Sequence, residues 1–293
     1  MLPEIDLAWG IRWGVIGTSL SLYYIVFALG LVLTFGLHKV INFAHGAIYM
    51  MGAYIGLVVY SLTGNFGVAL IAGFAGPFAL GALIERGLVS RLYGADPSSS
   101  FLATFGLAFV FVGLVKAIAT ARFRTFPFPE LLGGRLEIGG EYILAYRLFF
   151  IGIAILIVTL TYLFLTRTKV GSIVRAGTAD SAAVEVLGID IKKYFTLMFG
   201  IGSGLAGITG VLFAPLFNTY PTMGDEILVW AFAVVIIGGL GSFWGCITGG
   251  IILGIMHSLG SIVFGEYVMF ATYVLLIIVF SARPAGIFGR REA

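Results

Sequence analysis

The chain has 293 residues, of which 11% are charged and 60% hydrophobic, with a formal net charge of +3 and a mean hydropathy of +1.08. A soluble domain carries about a quarter charged residues, so a water-soluble core of this size would leave too much apolar surface wet, and a bilayer is the solvent that fits. Helices and closed barrels alone satisfy every backbone group in lipid, and apolar runs of about 20 residues without strand-like alternation select helices. The fold class is all-α: a polytopic integral membrane helical bundle, read as one transmembrane domain over 1–293. The single cysteine, Cys246, allows neither an internal disulfide nor a cysteine cluster for metal, so no metal site is expected.

The first 12 residues carry Glu4, Asp6 and Arg12 instead of a basic start, and the apolar run 13–36 is long enough to span, so no cleaved signal peptide is expected. The second segment, 40–61, opens within GLHKVINFAHGAIYMMGAYIG (36–56), where Asn42 and His45 interrupt apolar sequence beside Gly46. Polar side chains at membrane depth cost free energy unless they face protein or water. One reading is a locally unwound helix lining a solute path. The other sets Asn42 and His45 near the inner end, beside His38 and Lys39, bonded to neighbouring helices.

Segments 66–90 and 101–119 follow, with Glu85 at the edge of the first and Lys116 near the outer interface, where its stem can snorkel. Residues 120–142 (TARFRTFPFPELLGGRLEIGGEY) hold two prolines and glycine pairs, which predict an external loop with a short hairpin. After a span at 143–166, residues 167–193 (RTKVGSIVRAGTADSAAVEVLGIDIKK) read as a cytoplasmic loop containing one short helix, capped by Thr178 or Asp180 and stopped by Gly188. Ala182, Ala183, Val184 and Leu187 give that helix a small apolar face among Asp180, Glu185 and Lys192. Such a face serves a partner protein or lies on lipid headgroups.

Segments 194–217, 226–239, 243–264 and 267–281 complete a total of eight or nine. The seventh is short for a crossing and meets the eighth through Gly238, Gly239 and Gly241, so the pair reads as a broken helix or a re-entrant hairpin. Small residues recur every fourth position at Gly52/Gly56, at Gly202/Ala206/Gly210 and at Gly241/Gly245/Gly249, with Gly250/Gly254 beside them. Each series lays a flat stripe on a helix and lets backbones approach closely.

If Lys39, Arg86, Arg91, the stretch 167–193 and the C-terminal tail face the cytoplasm, that side holds 11 of the 17 Lys and Arg. The N-terminus is then outside and the C-terminus inside, and Trp9, Trp13, Tyr142, Tyr146, Tyr220 and Tyr267 fall near segment ends, where amphipathic rings prefer the interface. The positive charge is thus a matter of topology, with the bilayer and not nucleic acid as the partner.

All 14 Asp and Glu fall in loops or near segment ends, Glu266 between the last two segments. A proton-coupled carrier needs an ionisable relay inside the bundle, although backbone carbonyls can hold sodium, so an ion-coupled carrier stays as an alternative. No G-x-x-x-x-G-K-[ST] string occurs, so active transport requires a partner ATPase. An intramembrane hydrolase could pair Ser203, between Gly202 and Gly204, with His257. The small-residue stripe already explains those glycines and no third group or oxyanion hole is evident, so no catalytic residue is assigned.

Four stretches, INFAHGAIYMMGAYIG (41–56), RAGTADSAAVEVLGIDIKKYFTLMFGIGSGLAGITGVL (175–212), IIGGLGSFWGCITGGIILGI (236–255) and RPAGIFGR (283–290), stand in an order and spread over nearly the whole chain that resembles the permease subunits of branched-chain amino acid ABC importers. The same family serves urea, amides and aromatic acids, and the likeness is greatest to the first of its two permease subunits. The resemblance implies a bacterial inner-membrane permease domain that works with a second homologous permease, two cytoplasmic ATPase subunits that bind ATP and Mg, and a periplasmic or extracellular solute-binding protein; the chain itself needs no cofactor. It also implies that DSAAVEVLGI is the coupling helix, with Asp180, Glu185 and Gly188 at positions matching the family's loop. Ala182 departs from the glutamate found there in other ABC importers. Asn42, Phe43, His45 and Gly46, with Gly238, Gly239 and Gly241, are the expected path-lining elements, as glycine-associated interruptions in each half.

Overall fold

A computed structural model describes residues 7–38, 42–93, 96–119, 122–283 and 285–289; Glu4, Asp6, Lys39, Arg290 and Arg291 lie outside the described residues. Eleven α-helices occur among them: α1 (Leu7–His38), α2 (His45–Thr63), α3 (Phe66–Gly87), α4 (Pro97–Ala119), α5 (Ala145–Arg167), α6 (Lys169–Ala179), α7 (Ser181–Val186), α8 (Ile191–Phe217), α9 (Met223–Gly238), α10 (Phe243–Phe264) and α11 (Val268–Ala282). Seven of them (α1 to α5, α8 and α10) are long and apolar enough to cross a membrane. The 16-residue α9 and 15-residue α11 supply the seventh and ninth apolar segments, so all nine segments fold as helices.

The helix ends sort into two sets. At one end lies the antiparallel hairpin of β1 (Arg135–Ile138) and β2 (Glu141–Leu144). Its two-residue turn, Gly139-Gly140, has both φ angles positive, at 60° and 87°, the type I′ geometry that matches strand twist and that side chains resist. The predicted hairpin is therefore present, and backbone bonds between Arg124 and Thr219 tie the same loop to the α8–α9 connection. The opposite end carries Arg86, Arg91, α6 and α7, and is called here the basic end.

The stretch 167–193 holds two helices where the sequence predicts one. Thr168 accepts the Gly171 N–H at 3.0 Å and caps α6, which buries Gly171, Val174 and Gly177 at helical spacing. For α7 the cap is Asp180, which accepts the Ala183 N–H at 3.0 Å, and Gly188, at φ 79°, ends it.

Without a hydrophobic push between helices in lipid, close packing has to supply the adhesion, and glycines make it possible. Most of α8 is buried, wrapped by α1, α2 and α3. A Cβ on Gly202 would strike Gly30 of α1, one on Gly207 would strike Gly73 and Pro77 of α3, and one on Gly210 would strike the α2 backbone. The stripes of α10 divide their work: Gly245 and Gly249 meet α9 at Gly238 and Val234, whereas Gly250 and Gly254 meet α1 at Ile25 and Ser21.

The start of α2 is the irregular point. His45 Nε2 lies 3.2 Å from the Phe27 carbonyl oxygen, eleven residues before α1 ends at His38, or about 16 Å along a helix. Helix α2 therefore begins inside the bundle and not at its end, and it meets α9 there: Gly46 and Gly224 touch backbone to backbone.

Candidate functional site

Beside that crossing, toward the hairpin end, lies a cavity of about 210 Å³. Helix α1 supplies Tyr23 and Tyr24, α2 supplies Tyr49, the end of α8 supplies Phe213 and Phe217, and α10 supplies His257 and Ser261. Asn218 and Tyr220 come from the α8–α9 connection, and Met223, Glu226, Ile227 and Trp230 from α9. Pockets for drug-sized ligands run to roughly 300–1,000 Å³, so this one suits a small solute.

The aromatic side chains hold one another in place. The hydroxyls of Tyr23 and Tyr49 are 2.8 Å apart, and Tyr23 stacks on Phe213 with centroids 3.4 Å apart. Tyr24 brings its hydroxyl to 2.5 Å from His257 Nδ1, and Trp230 stacks on both of these rings. Burial and the hydrogen-bonded Glu226 carboxylate push the Tyr220 phenol above its ordinary pKa. Asn218 has φ 63° and ψ 174°, a backbone region essentially reserved for glycine, and such outliers cluster at functional sites.

The expected path-lining residues sit elsewhere. Asn42 is buried, and its Oδ1 accepts the Ala44 N–H at 3.0 Å, turning the chain into α2. Phe43 packs against Phe101, Phe105 and Phe232, His45 is fully buried under Phe27, and Gly46 meets Gly224. This group lies one helical turn from Tyr49 and so next to the cavity, without lining it. Gly238, Gly239 and Gly241 lie at the basic end: Gly238 is packed on Gly245, Gly239 on the tail at Ala285 and Gly289, and Gly241 near Phe35 and Gly36 of α1. The tail closes α9, because Ile287 and Phe288 donate their N–H groups to the carbonyls of Ile237 and Gly238, each at 2.9 Å.

A second candidate surface is α7. Asp180, Ala182, Ala183, Glu185, Leu187 and Gly188 are all exposed, while Val184 turns inward. Val186 and Leu187 are 87% and 77% exposed, apolar side chains on a loop outside the spans. Nearby, Glu85 is 1% exposed and accepts hydrogen bonds from Tyr93 and Thr196, which fastens the base of α8 to α3. Burial and this carboxylate also push the Tyr93 phenol pKa up.

The hydrolase pairing finds no geometry. Ser203 is buried against Gly81 of α3, whereas His257 is held by Tyr24 and Trp230 in the cavity wall. Of the cavity residues, sequence reasoning marked only His257, as a possible hydrolase partner, and Tyr220, as an interfacial ring, and neither as part of a binding site. One usable signal was present: Asp225-Glu226 at the mouth of an apolar run followed by Trp230.

Comparison with known proteins agrees with a membrane permease. The family model described as "Branched-chain amino acid transport system / permease component" matches residues 15–280. The high-affinity branched-chain amino acid transport system permease protein BraD of Pseudomonas aeruginosa is 30% identical over 94% of both chains, and LivH of Escherichia coli is 28% identical over the same shares. LivM of Escherichia coli is 25% identical over 92% of this chain but only 68% of its own length, so the likeness is greater to LivH and BraD. No solved structure matches. The chain belongs to the branched-chain amino acid transport system permease family.

Proposed function

We propose that this chain is one of two permease subunits in an ABC importer that carries a branched-chain amino acid inward across a bacterial inner membrane. The observation that carries the reading is the end-to-end similarity to BraD and LivH, both named as branched-chain amino acid permeases. Similarity to LivM as well supports a second, homologous permease as partner. A solute-binding protein delivers at the hairpin end, which is then outside, as is the N-terminus; the basic end and the C-terminus face the cytoplasm.

ATP and Mg are bound by two partner ATPases, which dock on α7. Its exposed Val186 and Leu187 and its two fixed ends, at Asp180 and Gly188, support that docking. ATPase closure moves α7 and the braced base of α8, and the helices rock about the interior junction of α2 and α9 to give alternating access. The aromatic cavity lies on the solute path above that junction.

Uptake into proteoliposomes holding this chain and its co-purified partners tests the reading, with branched-chain amino acids, urea and aromatic acids as the panel. Uptake of the branched-chain class that needs both ATP and the binding protein is expected. Transport by the chain without ATPases overturns it.

A further inference from the structure

The importer reading leaves open what the cavity recognises, and one charge in its wall bears on that. Among the described residues the only ion pair within 4.0 Å is Lys193–Asp190 at the basic end, so Glu226 has no such cation beside it. Its neighbour Asp225 feels the charge of Lys116 and can offset the positive start of α9. Glu226 instead looks onto the cavity, next to the electron-rich rings of Tyr49, Tyr220 and Trp230.

A carboxylate without a counter-charge, set among aromatic rings, is the arrangement that attracts an organic cation. His257, the one lining residue that can itself become a cation, is held by Tyr24. Leu20, Met223 and Ile227 give the same cavity an apolar patch. An occupant that satisfies both surfaces carries an ammonium group beside a short alkyl chain.

We propose that this cavity is a low-affinity station on the solute path that selects such ammonium-bearing solutes, with Glu226 as their counter-charge. The proposal rests on the importer reading for the solute's direction of travel, but the binding preference stands or falls separately. Asn218, also in the wall, offers side-chain amide donors for the carboxylate of an amino acid.

The test uses the assembled permease–ATPase complex in nanodiscs, without binding protein, read by tryptophan fluorescence. Leucine, isoamylamine and isocaproate are titrated in parallel, while ATP-driven leucine uptake is measured on the same preparation with binding protein. Leucine and isoamylamine should quench the emission and isocaproate should not. Trp230→Phe should remove the signal, and Glu226→Gln should weaken amine binding at least roughly tenfold, as expected for loss of a charge-assisted bond.

Isocaproate binding as well as isoamylamine, or amine binding untouched by Glu226→Gln, overturns the proposal. Should Glu226→Gln fail to assemble, the comparison of amine with acid on the unmodified complex still decides, and Tyr220→Phe, which keeps the carboxylate, should retain selectivity. Uptake without amine selectivity removes the station and leaves the importer; selectivity without ATP-driven uptake removes the importer and leaves the site.

Discussion

Two of the glycine-associated breaks between membrane helices, the one before α2 and the one between α9 and α10, have opposite characters. At the second, the end of α9 finds partners: the tail N–H groups of Ile287 and Phe288 meet the carbonyls of Ile237 and Gly238, and Gly238 seats on Gly245. At the first, Asn42 Nδ2 and His45 Nδ1 are buried without a hydrogen-bond partner among the described residues, each at a cost of about 1–3 kcal/mol. A satisfied break is an anchor. An unsatisfied one, deep in the bundle and one turn from the cavity, is where the structure gains least by staying as it is, and it is the better candidate for the element that moves.

The harshest way to break this contrast is Gly46→Val. The new side chain would occupy the place of the Gly224 backbone, so α2 and α9 would have to part, and overpacking of that kind costs about 3 kcal/mol. A large fall in the melting temperature of the purified complex is expected. An unchanged melting temperature would mean that the two helix starts are not in contact.

Deleting the chain from residue 284 onward addresses the anchor. Two backbone hydrogen bonds to Ile237 and Gly238 are lost, a change of about 2 kcal/mol, and hydrogen exchange should rise in the last turn of α9 while the start of α2 keeps its protection. Protection lost equally at both breaks would erase the distinction between them. Thr196→Val should cost less, about 1 kcal/mol, by removing one of two donors to Glu85. Its larger expected effect is on the ratio of ATP hydrolysed to solute moved, because the base of α8 loses its tie to α3.

Much of the fold was legible in local sequence. The Gly139-Gly140 turn, the Asp180 cap and the Gly188 stop need only neighbouring residues, and nine apolar runs became nine helices. The helix α6 was missed because lysine, arginine, two glycines and two hydroxyl residues dilute its pattern, leaving Val170, Ile173 and Val174 as a narrow apolar face. The cavity was less legible still. Tyr23, Tyr49, Phe213 and Trp230 each sit in a separate apolar run, and only the packing of α1, α2, α8 and α9 brings them together. Nor could hydropathy locate the start of α2, since residues 40–61 are apolar whether the chain is helical at 42 or first turns there.

Asn42→Ala is the mildest of these changes and the most discriminating. It removes the acceptor of the Ala44 N–H, a loss of about 1 kcal/mol by analogy with helix caps, and it also removes the unpartnered Nδ2, which offsets part of that loss. Stability should therefore change little, so any large effect on uptake must come from the movement of the break itself. If α2 and α9 rock about the Gly46–Gly224 contact, the variant should lower uptake several-fold at a nearly constant melting temperature. If uptake simply follows the melting temperature, the first break is an anchor like the second, and the hinge has to be sought elsewhere along α8.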